Sequence, residues 1–161
     1  MIEKERKSLS KYNTAITTIG GLKDTSVIYR AIETYLVDKD DLKGLISKRN
    51  EFNLRTEESR GRIERAIKTG FLQFINQDHR DLLYSIFTRS SIHLDKELIL
   101  FWQFSLLNRL HRDISLNVFM KSYLSGRTGI SKDDIVAYLR EFIANNKQLD
   151  LSWSASTINT I

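Results

Sequence analysis

Cysteine and proline are both absent from this 161-residue chain, and glycine occurs only seven times. Without cysteine there is no disulfide framework, no thiolate zinc or iron–sulfur site and no thiol nucleophile, and a reducing compartment suits the chain. Without proline nothing obliges a helix to break. Long hydrophobic runs are missing too. The longest aliphatic and aromatic run, Leu98-Ile99-Leu100-Phe101-Trp102, has five residues, against the roughly 20 a membrane span needs. The opening Met1-Ile2-Glu3-Lys4-Glu5-Arg6-Lys7 is charged and leads into no apolar segment, so it does not read as a secretory leader. The expectation is a soluble cytoplasmic protein that makes no use of a membrane.

What is present points to a helical core. Apolar residues make up 41% of the chain, with eight Phe, six Tyr and two Trp, too much to stay disordered. Val27, Ile28, Ala31, Ile32, Tyr35 and Leu36 recur at three and four behind Thr25 as a cap, and Leu42, Leu45 and Ile46 resume the pattern. Thr56, Glu57 and Glu58 make a helix start followed by Ile63, Ala66, Ile67, Phe71, Leu72 and Ile75. Asp78 opens a stripe through Leu82, Leu83, Ile86 and Phe87. Residues 95–112 are the most apolar, with only Gln103, Ser105, Asn108 and Arg109 as a polar edge, which predicts a central helix buried on most sides. Asp113 is expected to cap a helix with Leu116, Phe119, Met120, Tyr123 and Leu124 inward. Ser131-Lys132-Asp133-Asp134 resembles a capping box, and the segment from Ser152 to Thr157 another cap. No alternating strand pattern appears. The expectation is an all-α, compact multi-helix domain over 25–161, preceded by an arm at 1–24 that ends in Gly20-Gly21.

The 25 Lys and Arg against 20 Asp and Glu leave a net charge of +5. Most of the surplus is local: residues 43–68 hold eight basic residues and four acidic ones. Lys48, Arg49, Arg55, Arg60, Arg62, Arg65 and Lys68 therefore form a candidate phosphate-binding stripe, arginine being the better fork for phosphate. The competing reading is a solvated helix face with i,i+4 pairs such as Glu58 with Arg62. Gly126-Arg127-Thr128-Gly129 lies between two helices and feeds a Ser-capped one, so Arg127 and Lys132 join the candidates; a helix cap followed by another cap explains the same residues. A KH module would clamp nucleic acid with such a turn, but it needs a sheet. A helix-turn-helix normally has a turn of about three or four residues, shorter than this one.

Other motifs fail on chemistry. His79-Arg80-Asp81 and His111-Arg112-Asp113 spell the kinase catalytic triplet, yet Ile86 and Val118 stand where the magnesium-binding Asn is required. His79, His93 and His111 have no metal-ligand spacing. Paired acids at Asp40-Asp41, Glu57-Glu58 and Asp133-Asp134 sit at helix starts, where the macrodipole is reason enough for them. No catalytic residue, metal or cofactor is expected.

Specific residues carry a family resemblance: Tyr12 and Thr14 before Gly20-Gly21-Leu22; Phe101-Trp102 with Leu106-Leu107-Asn108-Arg109; Gly129-Ile130-Ser131 before Asp134-Ile135; and Trp153-Ser154 with Ser156-Thr157-Ile158. Together, from about residue 12 onward, they resemble BrxA, a small component of bacterial BREX phage-defence systems. The resemblance implies a cytoplasmic helical protein similar in fold to the antitermination factor NusB, without catalytic residues and with DNA binding as its activity. Family members usually continue past the Trp-Ser-x-Ser-Thr segment, so a chain truncated at the C-terminus is expected. The partners expected are double-stranded DNA, held mainly through phosphates, and other BREX proteins, with no small-molecule substrate. The rival readings are a protein-interaction scaffold that meets an acidic partner, an RNA-binding NusB-like protein, and an enzyme.

Overall fold

The computed structural model describes residues 12–20, 26–38, 41–89, 93–149, 151 and 153–161. The expected caps at Thr25 and Ser152, the pair Asp40-Asp41 as a side-chain feature, and residues 1–11 and 21–24 of the arm lie outside the described residues. The chain is all-helical, with no strand among the described residues. It divides into two compact units, one joining the chain up to Thr17 with Asn108–Ile161, the other comprising Thr18–Leu107. Helix α1 (Ala15–Gly20) runs across the first boundary.

The Thr18–Leu107 unit contains α2 (Ser26–Val37), a short α3 (Asp41–Lys43) that widens into a π turn over Gly44–Lys48, α4 (Glu57–Phe71), α5 (Gln77–Arg89) and α6 (His93–Leu107). Helix α2 packs on α5, and α4 packs on both α6 and the π turn. Ile32, Leu36, Leu42, Ile46, Ile67 and Leu83 are fully buried. Thr56 caps α4 as expected, its side chain accepting from Ser59 N–H at 3.1 Å. Gly70, inside α4, permits close packing: a Cβ there would come within 2.8 Å of the Phe104 ring, which stacks on Phe71 at 5.2 Å. Helix α5 starts one residue before Asp78, because Asn76 Oδ1 accepts from His79 N–H at 2.8 Å and takes the capping role expected of Asp78. Ile75 is 65% exposed, since α4 ends at Phe71.

Phe104 and Leu107 of α6 are buried as expected of a core helix, but part of its expected edge and face is exchanged. Gln103, placed on the polar edge from sequence, is completely buried, while Leu98, Phe101 and Trp102 are exposed. The cause is the open end of α4. Carbonyls in a last helical turn have no partner within the helix, and Gln103 Nε2 donates to Phe71 O at 2.9 Å and to Gln73 O at 3.1 Å. Gln103 Oε1 lies 2.6 Å from His79 Nε2. Because Ile75 N–H donates to His79 Nδ1 at 3.2 Å, the proton sits on Nε2 and is donated to Gln103. One amide thus fastens three segments.

The second unit contains α7, an almost continuous helix made of Arg109–Ile114, a π segment Ser115–Met120 and a final α turn Lys121–Leu124; then α8 (Lys132–Asn145), a 3₁₀ turn Lys147–Leu149 and α9 (Ala155–Thr160). The predicted 95–112 helix is divided at Asn108, whose extended backbone and side chain, accepting from His111 N–H at 2.9 Å, start a new helix. Asp113 therefore lies within α7 and does not cap it. The core comprises Leu110, Ile114, Val118, Val136, Leu139 and Ile158. Leu110, Ile114 and Val118, four apart, form the inward stripe of α7. Leu116, Phe119, Met120, Tyr123 and Leu124, all expected inside, lie off that stripe and are exposed. Ser131 and Asp134 form the expected capping box, and Ser154 caps α9.

Residues 12–17 are held by polar contacts. The Tyr12 hydroxyl donates to Asp113 Oδ2, Arg109 lies over the Tyr12 ring at 4.6 Å, and Asn108 Nδ2 donates to Asn13 Oδ1 at 2.9 Å. Burial, reinforced by the bond to Asp113, pushes the Tyr12 hydroxyl up to about 12.

Replacing Gln103 by Leu is expected to lower stability by about 3 kcal/mol, because buried carbonyls and the His79 N–H lose their partner; urea unfolding measures it. The neutral Tyr12 hydroxyl stabilises below pH 10, its unfolded value, and the contribution disappears as pH rises through about 12. The stability difference between wild type and Tyr12→Phe should therefore shrink over that alkaline window, as followed by circular dichroism.

Candidate nucleic-acid interface

The basic stripe begins where the π turn ends. Lys43 and Lys48 flank that turn and are exposed. Asn50 and Asn53 adopt positive φ (48° and 51°), where Asn is tolerated better than most residues. Asn50 also binds Leu54 twice, N–H and carbonyl, at 3.0 Å each. This turn presents Arg55 to solvent immediately before the Thr56 cap.

The candidate cations have different surroundings. Arg49 lies 3.2 Å from Glu51, which also holds Arg30 at 2.5 Å. On α4, Arg62 pairs with Glu58 at 3.5 Å and Lys68 with Glu64 at 2.7 Å. Arg60 is half-buried, its Nη1 3.4 Å from Leu54 O and its Nε enclosed without a hydrogen-bond acceptor. Lys48, Arg55 and Arg65 are exposed, with no carboxylate partner among the described residues. Arg62, Arg65 and Lys68 follow one another at three-residue spacing, opposite the buried Ile63, Ala66, Ile67 and Gly70. The solvent face of α4 is thus basic but threaded with Glu57, Glu58 and Glu64. Exposed pairs of this kind contribute only about 0–1 kcal/mol each, so an approaching polyanion can exchange with the glutamates. Lys43 is not among the candidates read from the sequence; it is exposed where the short helix meets the π turn.

In the other unit, the glycine-containing turn joins two caps. Gly126 has φ +81°, with Gly126 N–H donating to Tyr123 O and Arg127 N–H to Ser122 O, both at 3.0 Å. That pair of bonds is a Schellman closure of α7 with glycine at its left-handed position. Asp134 Oδ2 then accepts from Ser131 N–H at 2.8 Å, while Arg127 forks onto both Asp134 oxygens at 3.2 and 3.0 Å. The Ser131 backbone bond, followed by the Arg127 fork, holds the Asp134 carboxyl down to about 2. Arg127 is consequently engaged locally, whereas Lys132 is exposed with no partner among the described residues.

The histidines are structural where they are described. His79 is buried in the Gln103 network, and burial lowers the His111 pKa, favouring the neutral ring. The His93 side chain lies outside the described residues. No group of three or more His, Asp or Glu able to hold a metal ion occurs among the described residues, and no described helix is long and apolar enough to cross a membrane.

Among the described residues this is an all-helical protein with exposed cations on α4 and the π turn. The chain belongs to the BrxA family, whose model matches residues 10–161, which associates it with BREX defence. No curated protein and no solved structure matches the chain.

Asp134 accepts its bonds most strongly when ionised. Its folded pKa lies below the ordinary carboxylate value, so its contribution to the α8 cap is present above about pH 4 and is lost as pH falls through about 2. Carbon-detected NMR titration of Asp134 should give a midpoint near 2 in the wild type, and an upward shift in Arg127→Ala.

Proposed function

We propose that this BrxA-family protein is a non-enzymatic, cytoplasmic component of a BREX phage-defence system that binds double-stranded DNA mainly through phosphates. The observation that carries the reading is the set of exposed cations, Lys43, Lys48, Arg55 and Arg65, that have no carboxylate partner among the described residues. Arg49, Arg62 and Lys68 add exchangeable charge around them, and in the other unit Lys132, with Arg127 behind it, offers a phosphate contact at the start of α8. Arg60 contributes least, because its guanidinium is turned back onto Leu54. Phosphate contacts position a protein on a duplex without reading its sequence. Releasing counterions drives such binding, so affinity falls steeply with salt.

The test is fluorescence anisotropy of a labelled duplex across a salt series, with structured RNA as competitor. The variant Lys48→Glu, Arg55→Glu, Arg65→Glu should retain its helicity and bind every duplex sequence at least tenfold more weakly. Its log–log salt slope should be shallower by roughly 3, at about 0.9 for each phosphate no longer neutralised. Unchanged affinity in the folded variant refutes the stripe, and preferential competition by RNA assigns the surface to RNA.

A further inference from the structure

Away from its core stripe, α7 presents a solvent face formed by Leu116, Phe119, Met120, Tyr123 and Leu124, which are 54%, 52%, 42%, 67% and 76% exposed. Two of them are rings. Phe119 and Tyr123, four residues apart on one side of the helix, lie with their planes within 13° of parallel and their centroids 6.4 Å apart. That separation is close to two of the roughly 3.4 Å steps by which stacked bases follow one another along a strand. Exposed aromatic rings hold unpaired bases by stacking, and they accept any sequence because every base has a π-face.

The free charge along this helix is positive. From Ile114 to Lys132 the sequence contains no Asp or Glu, and it contains Lys121, Arg127 and Lys132. Lys121, between the two rings in sequence, is exposed with no partner among the described residues. Arg112 is half-buried and precedes Leu116, Phe119 and Tyr123 by four, seven and eleven residues, the spacing of one helical side. It too has no carboxylate partner among the described residues. Asp113, the one carboxylate on α7, accepts from Tyr12 and lies 4.0 Å from Arg109. On α8, which packs against α7, Asp134 is forked by Arg127, Asp133 adjoins Lys132 in sequence and Glu141 adjoins Arg140. Flat rings beside unpaired cations are the chemistry that meets a strand of bases and phosphates.

We infer that the Phe119–Tyr123 face of α7 binds single-stranded DNA, with bases stacking on the two rings and phosphates meeting Lys121 and Arg112. Met120 and Leu124 favour DNA over RNA, because a ribose 2′-hydroxyl set against aliphatic side chains loses water without gaining a partner. A duplex keeps its base faces inside the stack, so this face is chemically distinct from the α4 stripe, which meets phosphates. Binding here requires nothing of that stripe.

The probe is a labelled 12-nucleotide oligothymidylate, followed by fluorescence anisotropy against the full chain at about 0.05 M salt. A strand of the same length and charge whose sugars carry no bases should bind at least tenfold more weakly, and the matching oligouridylate at least threefold more weakly. Phe119→Leu with Tyr123→Leu keeps the face apolar and suits a helix; it should cost at least tenfold in oligothymidylate affinity while duplex binding is unchanged. Lys121→Glu should cost at least threefold. The Lys48→Glu, Arg55→Glu, Arg65→Glu variant should keep the preference for oligothymidylate over the abasic strand, so the duplex stripe and this face fail separately. Equal binding of the abasic strand, or indifference to the two leucines in a folded protein, overturns the proposal. Oligouridylate binding as tight as that of the DNA gives the face to RNA and overturns it too. Self-association in sedimentation that Leu116→Ser with Leu124→Ser abolishes gives it to a second copy and likewise overturns it.

Discussion

Asn108 interrupts the most apolar stretch of the chain, and the division into two units follows from that interruption. Its buried side chain accepts from His111 N–H and donates to Asn13. One residue thus begins α7 and secures the segment carrying Tyr12. A helix start leaves backbone N–H groups in need of acceptors, and Asn supplies one where Leu107 and Arg109 could not. Without proline anywhere in the chain, capping side chains such as this one have to place the helix ends.

Gln103 performs the corresponding task at a helix C-terminus. Its amide satisfies carbonyls that α4 leaves open and fixes the His79 tautomer through a short contact. Satisfying those groups outweighs hydrophobic patterning on α6: the amide goes inside, and Leu98, Phe101 and Trp102 remain outside. An apolar face is thereby left exposed on α6, in the same unit that bears the exposed cations of the π turn and α4.

Much of the architecture was legible because the signals are local. Thr56, Ser131 and Ser154 each cap the helix they precede, since a hydroxyl three residues from a backbone N–H needs nothing beyond its own turn to reach it. The Glu58–Arg62 pair follows likewise from helical spacing. The inward assignment of Leu116, Phe119, Met120, Tyr123 and Leu124 failed because α7 has a second apolar stripe, Leu110, Ile114 and Val118, and only packing decides that this one faces the core. Arg60 and Arg127 looked like solvent cations in the sequence; the Leu54 carbonyl and the Asp134 carboxylate that engage them depend on backbone turns that composition does not encode.

The order of residues by itself determined that this would be an all-helical protein of the BrxA family, free of thiol chemistry and carrying a local basic excess over residues 43–68. Those properties depend on residue identity, short-range spacing and family likeness. Tertiary structure alone decided which apolar side of α6 would meet solvent, which arginines would be spent on neighbouring oxygens, and where the 95–112 segment would divide. Each is a choice among competing hydrogen-bond partners, some a turn away and some distant in sequence, governed by which polar groups must be satisfied once the helices are packed.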